Sequence, residues 1–140
     1  MTSTTDREDP MIEGLHIEAI SRLPADEPLV MANLMKFRER SLDGDGSGWD
    51  AYVRYSRMAN RLIKERGGRI VWAGELLGTT LGPEVHGQWD YVALVSYPAP
   101  EAFLDMMTSD AYAAADVHRT NGCEAHLIMA VHERFNGFAD

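Results

Sequence analysis

PLVMANLMKFR, residues 28–38, reads as a buried strand, yet it carries Asn33, Lys36 and Arg38 among its apolar residues. A buried amide or ammonium costs several kcal/mol unless a partner satisfies it, so this strand belongs beside a polar pocket or an interface. Period-two alternation puts Asn33 on a face with Met31 and Met35. Lys36 and Arg38 fall on the other face with Ala32 and Leu34, unless a bulge re-aims one of them.

Working outward, Leu15, Ala19 and Leu23 recur at helical spacing before Pro24, which predicts a short, lid-like helix ahead of the strand. After the strand, SLDGDGSG (41–48) is a loop dense in turn residues. Ser47 and Asp50 then have capping-box spacing, so a helix starts there. Tyr52, Tyr55, Ala59, Leu62 and Ile63 form its apolar face, Arg54, Arg57, Arg61 and Lys64 its charged one, and Gly67-Gly68 its stop. Arg69 to Leu81 predicts a second strand, and WDYVALVSY (89–97) a third, in a hairpin. Trp89, Tyr91, Ala93, Val95 and Tyr97 share one face of the third strand, with Asp90, Val92, Leu94 and Ser96 on the other. Pro100 opens a helix carrying Phe103, Met106 and Met107. Ser109 or Asp110 caps a second piece through Tyr112 to Arg119, closing at Asn121-Gly122. Glu124 to Arg134 predicts the last strand, with His126, Ile128, Ala130 and His132 on one face and Ala125, Leu127, Met129 and Val131 on the other.

The order strand, helix, strand, strand, helix, strand is the ferredoxin-like βαββαβ arrangement: an α+β fold in which a four-stranded antiparallel sheet carries its helices on one face. Apolar residues occupy both parities of these strands, so the face away from the helices is too greasy to lie bare. A second copy packed sheet to sheet would cover it, which predicts a homodimer.

Composition sets the outer limits. A chain of 140 residues makes one domain that removes roughly 70% of its unfolded surface from water. Residues 13–134 are read as that domain, 1–12 as a disordered tail and 135–140 as a C-terminal tail. The net charge of -9 opposes docking on nucleic acid or anionic lipid. No apolar run reaches the roughly 20 residues that span a bilayer, so no membrane partner is expected. Cys123 is the single cysteine and permits no internal disulfide; with no signal-like start, the expected compartment is the cytoplasm. Neither metal nor cofactor is expected. The histidines at 16, 86, 118, 126 and 132 lack HxH or HExxH spacing, and GELLGTTLG precedes no helix that would make it a phosphate loop.

VMANLMKFR, the YVRYS helix, GGRIVWAGE, WDYVALVSYP and AYAAADVHR together resemble the domain-of-unknown-function family 1330, of the dimeric α/β-barrel superfamily, over residues 24 to 133. The resemblance implies a ferredoxin-like protomer and a homodimeric barrel. It also singles out Asn33, Lys36, Tyr55, Trp72, Asp90, His118 and Arg119.

Each candidate has a structural alternative. Asn33 either meets a ligand or satisfies backbone groups; Lys36 either enters a pocket or reaches solvent along its stem. Arg38 at the strand's end and Trp72 are further candidate ligand contacts, the latter set against core or interface packing. His118, beside Arg119, would bind or protonate an anionic, carbonyl-bearing molecule, or the two simply complement a helix C-terminus. Tyr55 has the best placed phenol. Asp90 would orient His118, pair with Arg119, or accept backbone bonds at a strand start.

Two function classes follow. In one, a dimeric, cofactor-independent enzyme of oxygenase or isomerase type binds a small carbonyl or aromatic metabolite and uses His118, Tyr55 or Asn33 for proton transfer, with Lys36, Arg38, Trp72, Asp90 and Arg119 binding. It expects Tyr55, Asn33, Asp90 and His118 to line one concave site. In the other, a non-catalytic dimer binds a small ligand or supports an assembly. Haem ligation by His118 is a third idea, from analogy within the superfamily.

Overall fold

Alternation along β1 (Leu29–Phe37) decides which way the sheet faces. Leu29, Met31, Asn33 and Met35 are buried while Val30, Ala32, Leu34 and Lys36 are only partly covered. The computed structural model describes residues 12–85 and 87–138. Its remaining elements are α1 (Ile17–Ser21), α2 (Gly48–Glu65), β2 (Arg69–Glu75), β3 (Tyr91–Tyr97), α3 (Pro100–Met107), α4 (Asp110–Gly122) and β4 (Cys123–Val131). The four strands lie in the order β2-β3-β1-β4, every neighbouring pair antiparallel. This is the ferredoxin-like architecture expected from the element order. Of the expected N-terminal tail, residues 1–11 lie outside the described residues, whereas Ile12 is buried in the core. Residues 139–140 also lie outside them, and Phe135 and Phe138 are exposed.

The helices cover the Met31–Asn33–Met35 face because their own apolar stripes match it. In α2 the buried residues are the expected Tyr52, Tyr55, Ala59, Leu62 and Ile63, joined by Gly48 and Ala51. Each full burial of Leu62 or Ile63 contributes roughly 2 kcal/mol. Its N-terminus carries both capping-box bonds: the Asp50 amide donates to Ser47 Oγ at 3.0 Å, and the Ser47 amide to Asp50 Oδ2 at 2.9 Å. Gly67, at φ 80°, ends it in the left-handed region.

Four details differ from the sequence reading. β2 stops at Glu75 rather than Leu81, because the β3 ladder ends at the Glu75–Tyr91 pair and leaves the following residues without a partner strand. Leu77 and Leu81 are 92% and 94% exposed. β4 ends at Val131, opposite Val30 where β1 begins, rather than at Arg134. α1 is confined to five residues, and it is Ile20 that it buries. Gly122 is no left-handed stop, since α4 runs directly into β4; a Cβ there would lie 2.5 Å from the Gly48 carbonyl oxygen and 2.9 Å from the Tyr52 amide nitrogen. Glycine at 122 and 48 lets the end of α4 meet the start of α2 backbone to backbone.

The other face of the sheet carries Val30, Ala32 and Leu34 of β1, in register with Val131, Met129 and Leu127 of β4, and Leu94 of β3 beside Trp72 of β2. No element of the described chain packs over it. Leu127, Met129, Val131 and Trp72 are each more than two-fifths exposed.

Candidate functional site

Segment 12–23, α3, α4 and the helix-side face of β1 and β4 line a half-open cavity of about 420 Å3. That volume lies within the 300–1,000 Å3 range of small-molecule pockets. Most of its wall is apolar: Ile12, Leu15, Ile20 and Leu23 from the N-terminal segment, Phe103 and Met107 from α3, and Met31 and Ile128 from the sheet. Arg119, His126 and Tyr112 supply the inner polar groups, with Glu13 and His16 on the lid segment. A second, 40 Å3 cavity under α2 shares the walls formed by Met31, Phe103, Met107, Tyr112, His126 and Ile128, and adds Asn33 and Tyr55.

Behind the larger cavity runs a chain of hydrogen bonds whose directions are fixed by its ends. Asn33 Nδ2 donates to the carbonyls of Met31 at 3.1 Å and Ala93 at 3.4 Å, which leaves Oδ1 as the acceptor. His126 Nε2, 2.8 Å from that Oδ1, is therefore the protonated ring nitrogen. A guanidinium only donates, so His126 Nδ1 accepts from Arg119 Nη1 at 3.2 Å. Arg119 Nε in turn donates to Asp116 Oδ1. Only a neutral, Nε2–H imidazole satisfies both ends. Burial, reinforced by the Arg119 charge, pushes the His126 pKa down to about 3. Burial also opposes the charge on Arg119, but Tyr112, Asp116 and Tyr55 outweigh it and hold the guanidinium above its ordinary range.

Beside this chain the hydroxyls of Tyr55 and Tyr112 meet at 2.8 Å across α2 and α4. Burial raises the Tyr112 phenol to about 12 and that of Tyr55 well above its usual range. Both stay neutral at pH 7, and one phenolic proton of the pair remains free to donate. The buried end of the site thus offers a cation and a hydroxyl but no free base. It is built to hold negative charge or a polarised carbonyl.

The structure brings Asn33, Tyr55 and Arg119 to one region and places the other sequence candidates elsewhere. Lys36 lies on the opposite face, in register with Ala125. Arg38 Nε donates to the Thr120 carbonyl at 3.2 Å, tying β1 to the end of α4. Trp72 lies over Gly74 and is 45% exposed, on the uncovered face. Asp90 Oδ2 accepts the Phe37 amide at 2.8 Å beside the Lys36/Phe37 bulge, the backbone-accepting alternative among its readings. His118 borders neither cavity, and its Nδ1 is buried without a partner among the described residues. Tyr55, Asn33, Asp90 and His118 therefore do not line one site. His126, Tyr112 and Asp116 were not singled out as candidates. The signal for His126 was its place on the inward parity of β4, which the Met35–His126 register converts into contact with Asn33.

Among the described residues, no group of three or more His, Cys, Asp or Glu is arranged to hold a metal ion, and no helix is long and apolar enough to cross a membrane. Comparison with known proteins follows the fold. A protein of unknown function from Rhodopseudomonas palustris, RPA0582, superposes with a TM-score of 0.76 at 26% identity, over 86% of this chain and 92% of that one. SnoaB of Streptomyces nogalater, a cofactor-independent oxygenase, gives 0.53 at 11% identity, over 79% and 97%. The hydroxynitrile lyase of Passiflora edulis gives 0.51 at 12%, over 79% and 99%. At such identities the last two share the fold, a ferredoxin-like protomer of dimeric α/β-barrel type. No curated protein matches the sequence. The family model described as domain of unknown function DUF1330 matches residues 48–132, more than half of the chain, and the protein belongs to that family.

Proposed function

We propose that this protein is a cytoplasmic homodimer that binds a small, mostly apolar molecule in the 420 Å3 chamber beneath segment 12–23. The observation that carries the reading is an apolar cavity ending on a partly buried, oriented guanidinium, since pockets of this kind combine a greasy wall with a few placed polar groups. The dimer rests on the uncovered apolar sheet face, which a second copy would bury. The test is titration with 1-anilinonaphthalene-8-sulfonate, an apolar anion that fluoresces when desolvated. Wild type should bind it saturably, and Ala19→Trp, at an exposed position on the cavity wall, should weaken binding at least tenfold. Equal affinity in both would end the proposal.

A second reading makes the protein a cofactor-independent enzyme, and one observation favours it: the phenolic proton left free by the Tyr55–Tyr112 pair stands beside Arg119, an arrangement suited to an enolate. The likeness to a cofactor-independent oxygenase and to a hydroxynitrile lyase is compatible with it. With His126 neutral and both its nitrogens engaged, this enzyme would stabilise an anion rather than generate one by general-base attack from the buried end. His118 has no part in it.

A further inference from the structure

Resting on the chamber as a ligand site, we propose that its ligand is a monocarboxylic acid with an apolar body, its carboxylate bound by the unused edge of Arg119, and that Asn33 and His126 are positioning residues for that guanidinium. Arg119 has five N–H donors. Nε–H is committed to Asp116 and one Nη1–H to His126. Nη2 has no partner among the described residues, yet it is not among the buried atoms left unpaired, so it keeps an open side, and its residue lines the cavity. Open donors beside an apolar wall call for an acceptor from the ligand, and the planar fork suits a carboxylate.

Charge narrows the class. Asp116 already offsets much of the Arg119 charge, so a phosphate dianion would gain little at the fork and would press its remaining charge against Met31, Phe103, Met107 and Ile128. A single carboxylate leaves the rest of the molecule free to be apolar. The lid walls Ile12, Leu15, Ile20 and Leu23 then cover that body. The Arg119 fork holds its heading because Asn33, pinned by two backbone carbonyls, fixes the His126 tautomer, and His126 presents a lone pair rather than an N–H to Arg119.

The experiment is isothermal titration of the full chain with octanoate and with 1-octanol at pH 7.5, for wild type, Arg119→Gln, Arg119→Lys and His126→Gln. The alcohol controls for folding and for the chamber itself. Wild type should bind octanoate 10- to 100-fold more tightly than octanol. Arg119→Gln should erase that ratio with octanol affinity unchanged, and Arg119→Lys should restore part of it. In His126→Gln the ratio should fall while octanol affinity holds, which a merely structural histidine would not produce. Octanol binding as tightly as octanoate in wild type, or a ratio indifferent to Arg119, would overturn the acid assignment and leave the chamber standing. Failure of both compounds to bind wild type would overturn the chamber and the acid together. A ratio unaffected in His126→Gln would overturn the positioning role alone.

Discussion

Replacing His126 by glutamine should flatten the acid limb of the stability curve, by an amount the site itself specifies. Unfolded, the imidazole takes up a proton near its ordinary value of 6.5; folded, burial and Arg119 defer that uptake to about 3. Between those values the unfolded chain binds the extra proton, so stability falls as pH falls, by about 1.4 kcal/mol per pH unit. The loss begins as pH drops through about 6.5 and is complete only below about 3. From pH 7 to pH 5 it amounts to about 2 kcal/mol. Glutamine carries no titrating proton, and its flexible amide lacks the rigid, fixed lone pair that the ring presents to Arg119. Urea unfolding of both proteins at pH 7 and pH 5, at fixed ionic strength, isolates the effect: whatever glutamine costs at pH 7, the wild-type advantage should shrink by about 2 kcal/mol at pH 5. Parallel pH dependence, or a His126 ring resonance that titrates above pH 5, would refute the neutral, Nε2–H assignment.

Other consequences are simpler. Leu94→Glu, on the uncovered sheet face, should convert a dimer of about twice 15.6 kDa into a monomer by light scattering; a monomeric wild type would contradict the dimer. Gly122→Ala should destabilise by about 3 kcal/mol or more in urea, because its Cβ would press on the Gly48 carbonyl and the Tyr52 amide, and a cost under about 1 kcal/mol would disprove that close approach. Asp90→Ala should cost about 1–3 kcal/mol by leaving the Phe37 amide unpaired, with no change in ligand affinity; a change in affinity would return Asp90 to the site. Cys123, its thiol pushed up to about 11 by burial, should fail to react with a disulfide reagent at pH 8 until the protein unfolds.

The fold was readable because its determinants are local. The Ser47–Asp50 cap, the stripe from Tyr52 to Ile63 and the alternation of residues 29–37 each follow from neighbours a few positions apart. Where β2 and β4 end was not readable, since a strand stops where its partner does, and that depends on register. The same division runs through the site. Asn33 stood out as an amide on an apolar parity, and Arg119 and Tyr55 as a polar residue and a phenol on helix faces. His126 needed the pairing of β1 with β4, residues 93 positions apart, to place its ring against Asn33 Oδ1. Lys36 and Asp90 drew attention as charges in apolar strands. Parity sends the first to the outer face, and a bulge beside Phe37 gives the second a backbone amide to hold. His118 lies one residue from Arg119 on α4, and that single step of roughly 100° takes it away from the chamber.

A crystal structure of the full chain grown with octanoate tests the acid site most directly. The alkyl chain should lie between segment 12–23 and the Met31–Ile128 wall, with the carboxylate in hydrogen-bond contact with Arg119 while Nη1 still meets His126. A chamber filled by the protein's own side chains, or the acid bound elsewhere with Arg119 untouched, would contradict that placement.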